Sequence, residues 1–354
     1  MLNGAIILAL VILGACASAP AWAGQAMKDG FYDELDAHGG LVRTVEYQLG
    51  VAHGRFREFY PDGLLRASGT YLNGRLNGML MEYYPDGKPK AKVFYRDGIL
   101  HGINTSYYPT GRIRIEEPYI AGWKDGVARE YSPDSTLVFE RQYRHNQEDG
   151  ITRKYYASGG VYREYDYRNG VQHGKIREYF PDGKLKGVYQ SSEGKRSGAG
   201  REYAATGELL SEGFYENDVL NGLVKFFYPS GKLRSRVNYT AGKMEDPAWR
   251  EYYESGAVHW LVPVKNDSKE GPGREYYADG VLKCAGLFQN NERAGIFKVY
   301  DIKGVLASEE TYESGRLTRW VELFPSGKVK SDQYFFVEDM KPAGTNEAAR
   351  PGTQ

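Results

Sequence analysis

Three of the six histidines, His53, His101 and His173, each stand directly before a glycine, a recurrence that would suit a metal set. Their spacing removes that reading. They fall two and three copies of a 24-residue period apart, roughly 20 to 30 Å if each copy supplies two strands, whereas zinc holds every ligand atom about 2 Å from one centre. His38, His145 and His259 have no ligand-like spacing, so neither a metal nor a cofactor is expected.

A row of glutamates raises a second chemistry. Glu58, Glu82, Glu178, Glu275 and Glu322 each lie five residues before a recurring glycine, and paired carboxylates about 5 to 9.5 Å apart are the equipment of glycoside hydrolysis. Each has a cation eight residues on, at Arg66, Lys90, Lys186, Lys283 and Lys330, and successive glutamates fall about 10 Å apart on a flat face. No nucleophile motif, phosphate-binding Gly-Lys-Ser/Thr loop or dinucleotide fingerprint is present. The chain is expected not to be an enzyme.

A third set recurs six residues before the glycine: Arg129, Arg153, Arg177, Arg201, Lys225, Arg250, Arg274 and Lys298. Strand alternation places this stripe on the side of the tyrosines four before the glycine. It has two readings. The cations cover tyrosine rings while their heads reach water or stack on the rings, or they line a basic, aromatic groove for an anionic lipid headgroup, an acidic glycan or an acidic protein segment. Cys284 is read as a small buried side chain, because equivalent positions hold Ala67, Ala91, Ser211, Ser235, Ser308 and Ser331.

The elements that would position these groups come from the period itself. Tyr83-Tyr84-Pro85-Asp86-Gly87-Lys88 is its clearest copy, repeated as Phe59-Tyr60-Pro61-Asp62-Gly63, Tyr107-Tyr108-Pro109-Thr110-Gly111, Tyr179-Phe180-Pro181-Asp182-Gly183 and Phe227-Tyr228-Pro229-Ser230-Gly231. The slot continues at Gly256, Gly280, Gly304 and Gly327, begins as a degenerate copy at Gly39, and holds Ser135 once. Pro presets φ, Asp suits the next position, and Gly takes the left-handed conformation that closes a hairpin. With a type I turn and a bulge at the glycine, Phe59 faces Leu65 and Tyr83 faces Pro89, giving an apolar side; Glu58 faces Arg66 and Glu82 faces Lys90, giving a charged one. The tyrosines eight after the glycine, Tyr71 and Tyr95 among them, are expected on the apolar side. Segments such as Asn73-Gly74-Arg75-Leu76-Asn77-Gly78 read as polar connections.

The reading is therefore all-β: an elongated single-sheet solenoid of about thirteen stacked 24-residue β-hairpin repeats spanning 30–337, in which each unit packs on its neighbours. At about 4.7–4.9 Å per strand the ribbon would be roughly 120 Å long. Thirty tyrosines and 44 glycines suit strands and tight turns. Lys plus Arg equals Asp plus Glu at 46 each, which argues against a nucleic-acid partner.

The two ends differ from this pattern. Residues 1–23 hold the long apolar stretch of an export signal, and two processing outcomes compete: Leu13-Gly14-Ala15-Cys16 resembles a lipobox, with Cys16 the lipidated residue, and Ala21-Trp22-Ala23 would allow cleavage after Ala23. Residues 24–29 would be a tether and 338–354 a disordered tail. The expected location is exported, either periplasmic or as an outer-membrane-anchored lipoprotein, with membrane contact only through the N-terminal anchor.

The recurring Tyr-Tyr-x-x-Gly-Lys and Tyr-x-x-Gly-x-x-x-Gly elements resemble the bacterial variant of the MORN repeat. The resemblance covers about 300 of the 354 residues and implies stacked β-hairpins in one long sheet. It also implies a scaffold or binding role: such proteins are often catalogued as antitoxins of toxin–antitoxin systems, and MORN proteins are proposed to bind phospholipid. The leading expectation is a non-enzymatic scaffold presenting an extended surface to a protein partner at the cell envelope. The alternatives are an antitoxin-like protein that neutralises a toxin by contact, and anionic lipid or glycan binding through the basic stripe.

Overall fold

The computed structural model describes residues 28–335. The expected export signal, Cys16, residues 24–27 of the tether and the tail 338–354 lie outside the described residues. Within them there is no helix, and 33 strands form one open antiparallel sheet in which a two-residue strand and the longer strand after it, such as Arg75–Leu76 and Gly78–Tyr83, both pair with the strand before them.

One repeat illustrates why these residues fold this way. Strands Gly78–Tyr83 and Pro89–Arg96 flank a turn in which Tyr84 N–H donates to Lys88 C=O and Gly87 N–H donates to Tyr84 C=O, both at 2.8 Å. Gly87 has φ +80°, the conformation a Cβ disfavours. Ser135 adopts φ +72° in the same slot, and there Ser132, Asp134 and Thr136 hydrogen-bond to one another around the turn.

The register begins as expected, with Tyr83 opposite Pro89, and then shifts: Glu82 faces Ala91, leaving Lys90 as an extra residue on the second strand. The shift recurs at Phe59/Leu65 and Glu58/Ala67. The expected cross-strand pairing of Glu82 with Lys90 is thus corrected, although their charges still meet at 3.5 Å. An extra residue reverses the alternation of everything beyond it. Tyr71 and Tyr95 therefore leave the face of Leu65 and Pro89 and join the face of the glutamates, contrary to expectation. That face carries the core, while the face bearing Phe59, Tyr83 and the basic stripe is the more open one.

The connections are a second correction. Asn73 and Gly74 have φ +48° and +76°, and Asp97 and Gly98 have +51° and +79°, the doubly left-handed geometry of a two-residue type I′ turn. Tyr71 pairs with Leu76 and Leu72 with Arg75 across the first of these, so each connection is itself a tight hairpin. Successive turns also lock together: Gly98 N–H donates to Leu76 C=O at 2.7 Å and Gly122 N–H to Leu100 C=O at 2.9 Å. At the Pro-Asp-Gly end, the Tyr84 hydroxyl donates to Tyr107 C=O at 2.7 Å and the Tyr108 hydroxyl to Tyr131 C=O at 2.8 Å. Each repeat thus satisfies backbone groups of its neighbour.

The contacts divide the chain into two units, one comprising residues up to Leu137 with Tyr143–Asn146, the other Val138–Gln142 with residues from Gln147 onward. In the first, Val45, Phe56, Leu80, Ala91, Val93 and Tyr95 form a buried cluster with Tyr71, Leu76 and Leu100 against it. In the second, Val262, Cys284, Phe288 and Phe297 are packed by Trp249, Trp260 and Tyr312. Both clusters lie on the glutamate face. Small residues make room for the rings there: a Cβ on Gly69 would come within 2.7 Å of the Phe56 ring, and one on Gly286 within 2.4 Å of Phe297.

Candidate functional site

The core face places most of its polar groups in pairs. Glu58 meets Arg66 at 2.7 Å and Arg43 at 3.6 Å, Glu275 meets Lys283 at 2.6 Å, and Glu322 meets Lys330 at 2.7 Å. Glu178 departs from the expected set, pairing with Arg163 while the Lys186 ammonium lies 5.9 Å from the centre of the Phe180 ring.

The tightest polar cluster gathers Glu275, His259, Lys283 and Cys284. The Glu275 carboxylate lies 3.2 Å from His259 Nε2 and 3.5 Å from Cys284 Sγ. Burial pushes the Cys284 thiol up to about 12, and the neighbouring Glu275 charge adds to the effect, so the group is a thiol and not a nucleophilic thiolate at neutral pH. Burial alone would raise Glu275, but hydrogen bonds from Lys283, Cys284 and His259 hold its carboxyl below the ordinary range. The cluster is a closed set of partners around one carboxylate. Among the described residues, no group of three or more His, Cys, Asp or Glu side chains is placed to hold a metal ion.

The opposite face is where the sequence-derived stripe lies, and its surroundings change along the second unit. Arg153 Nε meets Glu164 at 2.9 Å and its Nη1 lies 3.8 Å from Glu140; Arg177 Nη1 lies 3.9 Å from Glu164 and 3.0 Å from Asp166. Arg201 and Lys225 share Glu212 at 3.6 and 2.9 Å. Glu164 and Glu212 come from the position five after a turn glycine, directly opposite a stripe residue across the strand pair: Arg153 faces Glu164 and Arg201 faces Glu212. Arg177 faces Val188 at that position and takes its carboxylates from Glu164 and Asp166 instead. In this stretch the heads are held by carboxylates.

Beyond Lys225 that acidic partner disappears. Lys225 faces Arg236, Arg236 faces Arg250, and Arg250 faces Leu261. Leu261 then faces Arg274, Arg274 faces Ala285, and Ala285 faces Lys298, before Glu309 restores an acid. Among the described residues Arg236, Arg250, Arg274 and Lys298 make no ion pair, and Arg274 and Lys298 are exposed. Arg236 was not in the sequence-derived stripe. Reading the position five after each glycine alongside the position six before it is the signal that finds this run. Arg129, in the first unit, faces Glu116.

A second feature of this face also escaped sequence reading. The rank formed by positions eight before and seven after the glycine carries exposed large apolar side chains, Met79, Ile103 and Val127 at 46, 56 and 41 % in the first unit and Phe214, Leu287 and Ile296 at 53, 50 and 55 % in the second, with polar residues such as Asp166 and Lys175 between the two groups. In the first unit a groove of about 700 Å³ is lined by Phe94, Ile103, His101, Lys92 and Glu116.

Comparison with known proteins bears on this architecture. Among solved structures, the chain is similar to TcdB2-TccC3-Cdc42 at 13 % identity, covering 86 % of this chain and 18 % of that one with a TM-score of 0.19. It is likewise similar to a mutant Tc holotoxin pore of Photorhabdus luminescens at 13 % identity, with 86 and 18 % coverage and a TM-score of 0.17. The chain thus spans under a fifth of the length of these structures. No curated protein matches it. Residues 76–97, 100–121, 172–190, 220–241 and 269–290 match the MORN repeat variant. Each matched segment holds two strands and the glycine turn between them, and the chain is a MORN-repeat protein.

Proposed function

We propose that this chain is a non-catalytic binding scaffold whose open face receives a protein partner. The observation that supports it is the exposed apolar rank, Met79, Ile103 and Val127 in one unit and Phe214, Leu287 and Ile296 in the other. Exposed large apolar side chains mark interaction surfaces; in the first unit they recur one repeat apart, and in the second Leu287 and Ile296 lie on neighbouring strands, all on the face opposite the core. Reactive groups that recur at the same interval are spread along the sheet and do not converge, which favours binding over catalysis.

A photo-reactive amino acid at Ile103 or Ile296, with a control at Asp62 in a turn, tests the reading in cells. Discrete, reproducible protein adducts from the two face positions and none from the turn are expected; adducts of equal yield at all three would refute it. We further propose export with lipidation at Cys16. Incorporation of labelled palmitate that is lost in Cys16→Ser checks this, and unlabelled protein would rule it out.

A further inference from the structure

We infer that the run Arg236, Arg250, Arg274 and Lys298 is a docking strip for an acidic protein segment in polyproline II conformation, with a carboxylate at every third residue. The inference rests on the scaffold reading and gives its partner a chemistry.

The first support is the local departure from the repeat's own rule. From Arg153 to Lys225 a carboxylate stands beside the stripe cations, at Glu164 and Glu212. Val188 interrupts that series once, with Arg177 still held by Glu164 and Asp166, but the next three positions of the same kind, Arg236, Leu261 and Ala285, all lack an acid. Arg236 is placed between Lys225 and Arg250, and like charges directly opposite one another destabilise a sheet. Lys225 has Glu212 beside it and Lys298 faces Glu309, but among the described residues no carboxylate faces Arg236, Arg250 or Arg274 across the strands, so an external anion supplies the missing partner.

The second support is pitch. Arg250, Arg274 and Lys298 sit on alternate strands, hence about 9.5 Å apart, while Arg236, on the strand next to Arg250, adds its charge at the first of these three places. A polyproline II helix has three residues per turn and rises about 3.1 Å per residue, so side chains three apart project from the same side about 9.3 Å apart. A β-strand does not match, because residues three apart point to opposite sides. The third support is the width of the strip. It is one residue wide, bordered by Tyr252, Tyr276 and Tyr300 on one side and by Pro272, Leu287 and Ile296 on the other. Aromatic ranks of fixed pitch suit a polyproline II ligand, whereas a charged membrane surface calls for a broad basic patch.

The test is fluorescence anisotropy on the full chain with a fluorescein-labelled peptide of four Glu-Pro-Pro units. The comparator has the same composition with its glutamates in one block. The spaced peptide is expected to bind more tightly than the block, to lose at least tenfold in affinity in Arg250→Glu/Arg274→Glu, and to lose at least threefold in the milder Arg274→Ala/Lys298→Ala, with circular dichroism unchanged in both variants. Equal binding of the two peptides, or of wild type and the milder variant, would overturn the proposal. So would retention on phosphatidylglycerol vesicles with no binding of either peptide. Crosslinking from Ile103, in the other unit, reports separately on the scaffold reading: adducts there without peptide binding sink this inference alone, and loss of both sinks the reading beneath it.

Discussion

Replacing Arg236 by Glu should make the protein more stable and a poorer binder at once. Arg236 faces Lys225 on one side and Arg250 on the other, so the substitution converts two like-charge neighbours into two opposite-charge ones. Each cross-strand pair is worth roughly 0.2–1 kcal/mol in either direction, which puts the combined gain at about 1–3 kcal/mol. Partial exposure and screening place it toward the lower end. The assay is urea unfolding followed by tyrosine fluorescence at 50 and 500 mM NaCl, comparing midpoints and slopes. The midpoint should rise at low salt, and most of the rise should vanish at high salt because the effect is Coulombic. In the same variant, binding of the spaced acidic peptide should weaken. A midpoint that falls, or a gain of equal size at both salt concentrations, would refute the reasoning, since either result means that the like-charge neighbours do not repel as their register implies.

Three further outcomes are expected. Tyr84→Phe removes the hydroxyl that donates to Tyr107 C=O at 2.7 Å and should cost about 1 kcal/mol, while Phe180→Tyr, at the equivalent position of another repeat, should stabilise by a similar amount; denaturant midpoints moving in the same direction for both would contradict the role assigned to that hydroxyl. Gly286→Ala would drive a Cβ to 2.4 Å from the ring of the fully buried Phe297 and should cost about 1–3 kcal/mol, measurable as a lower midpoint and a weaker near-ultraviolet signal; wild-type values for both would mean that the ring does not lie on this glycine. Glu275 is held below the ordinary glutamate value of 4.5 by its hydrogen-bond donors, which outweigh its burial. Its contribution should therefore be complete above that value and lost as pH falls below it. Glu275→Gln should flatten this part of the pH–stability curve, and an unchanged acid limb would show that the carboxylate is not held as described.

Much of the architecture follows from local chemistry. Tyr84-Pro85-Asp86-Gly87-Lys88 can be read as a turn because Pro fixes φ, Asp accepts the Lys88 N–H and Gly takes a positive φ; these are properties of adjacent residues and need no partner elsewhere in the chain. The period, the strand count per repeat and the meeting of Glu82 with Lys90 are local in the same sense. Asn73-Gly74 carried an equally local hairpin signal, which the surrounding polar residues masked as a loop.

Which face became the core was decided at the level of strand pairing. One unpaired residue after each turn reverses the side of Tyr71 and Tyr95, and its position depends on which backbone groups of two strands hydrogen-bond, a choice that hydrophobic alternation along one strand does not encode. The basic strip is of the same kind. Arg236, Arg250, Arg274 and Lys298 are scattered over 63 positions of sequence, and only cross-strand register sets Arg236 between two cations and puts Leu261 and Ala285 in the place that Glu164 and Glu212 hold in earlier repeats. Sequence alone determined the module and its turns, because those rest on the φ preferences of neighbouring residues. Tertiary structure alone decided the faces and the neighbours of each charge, because those rest on hydrogen bonds between strands.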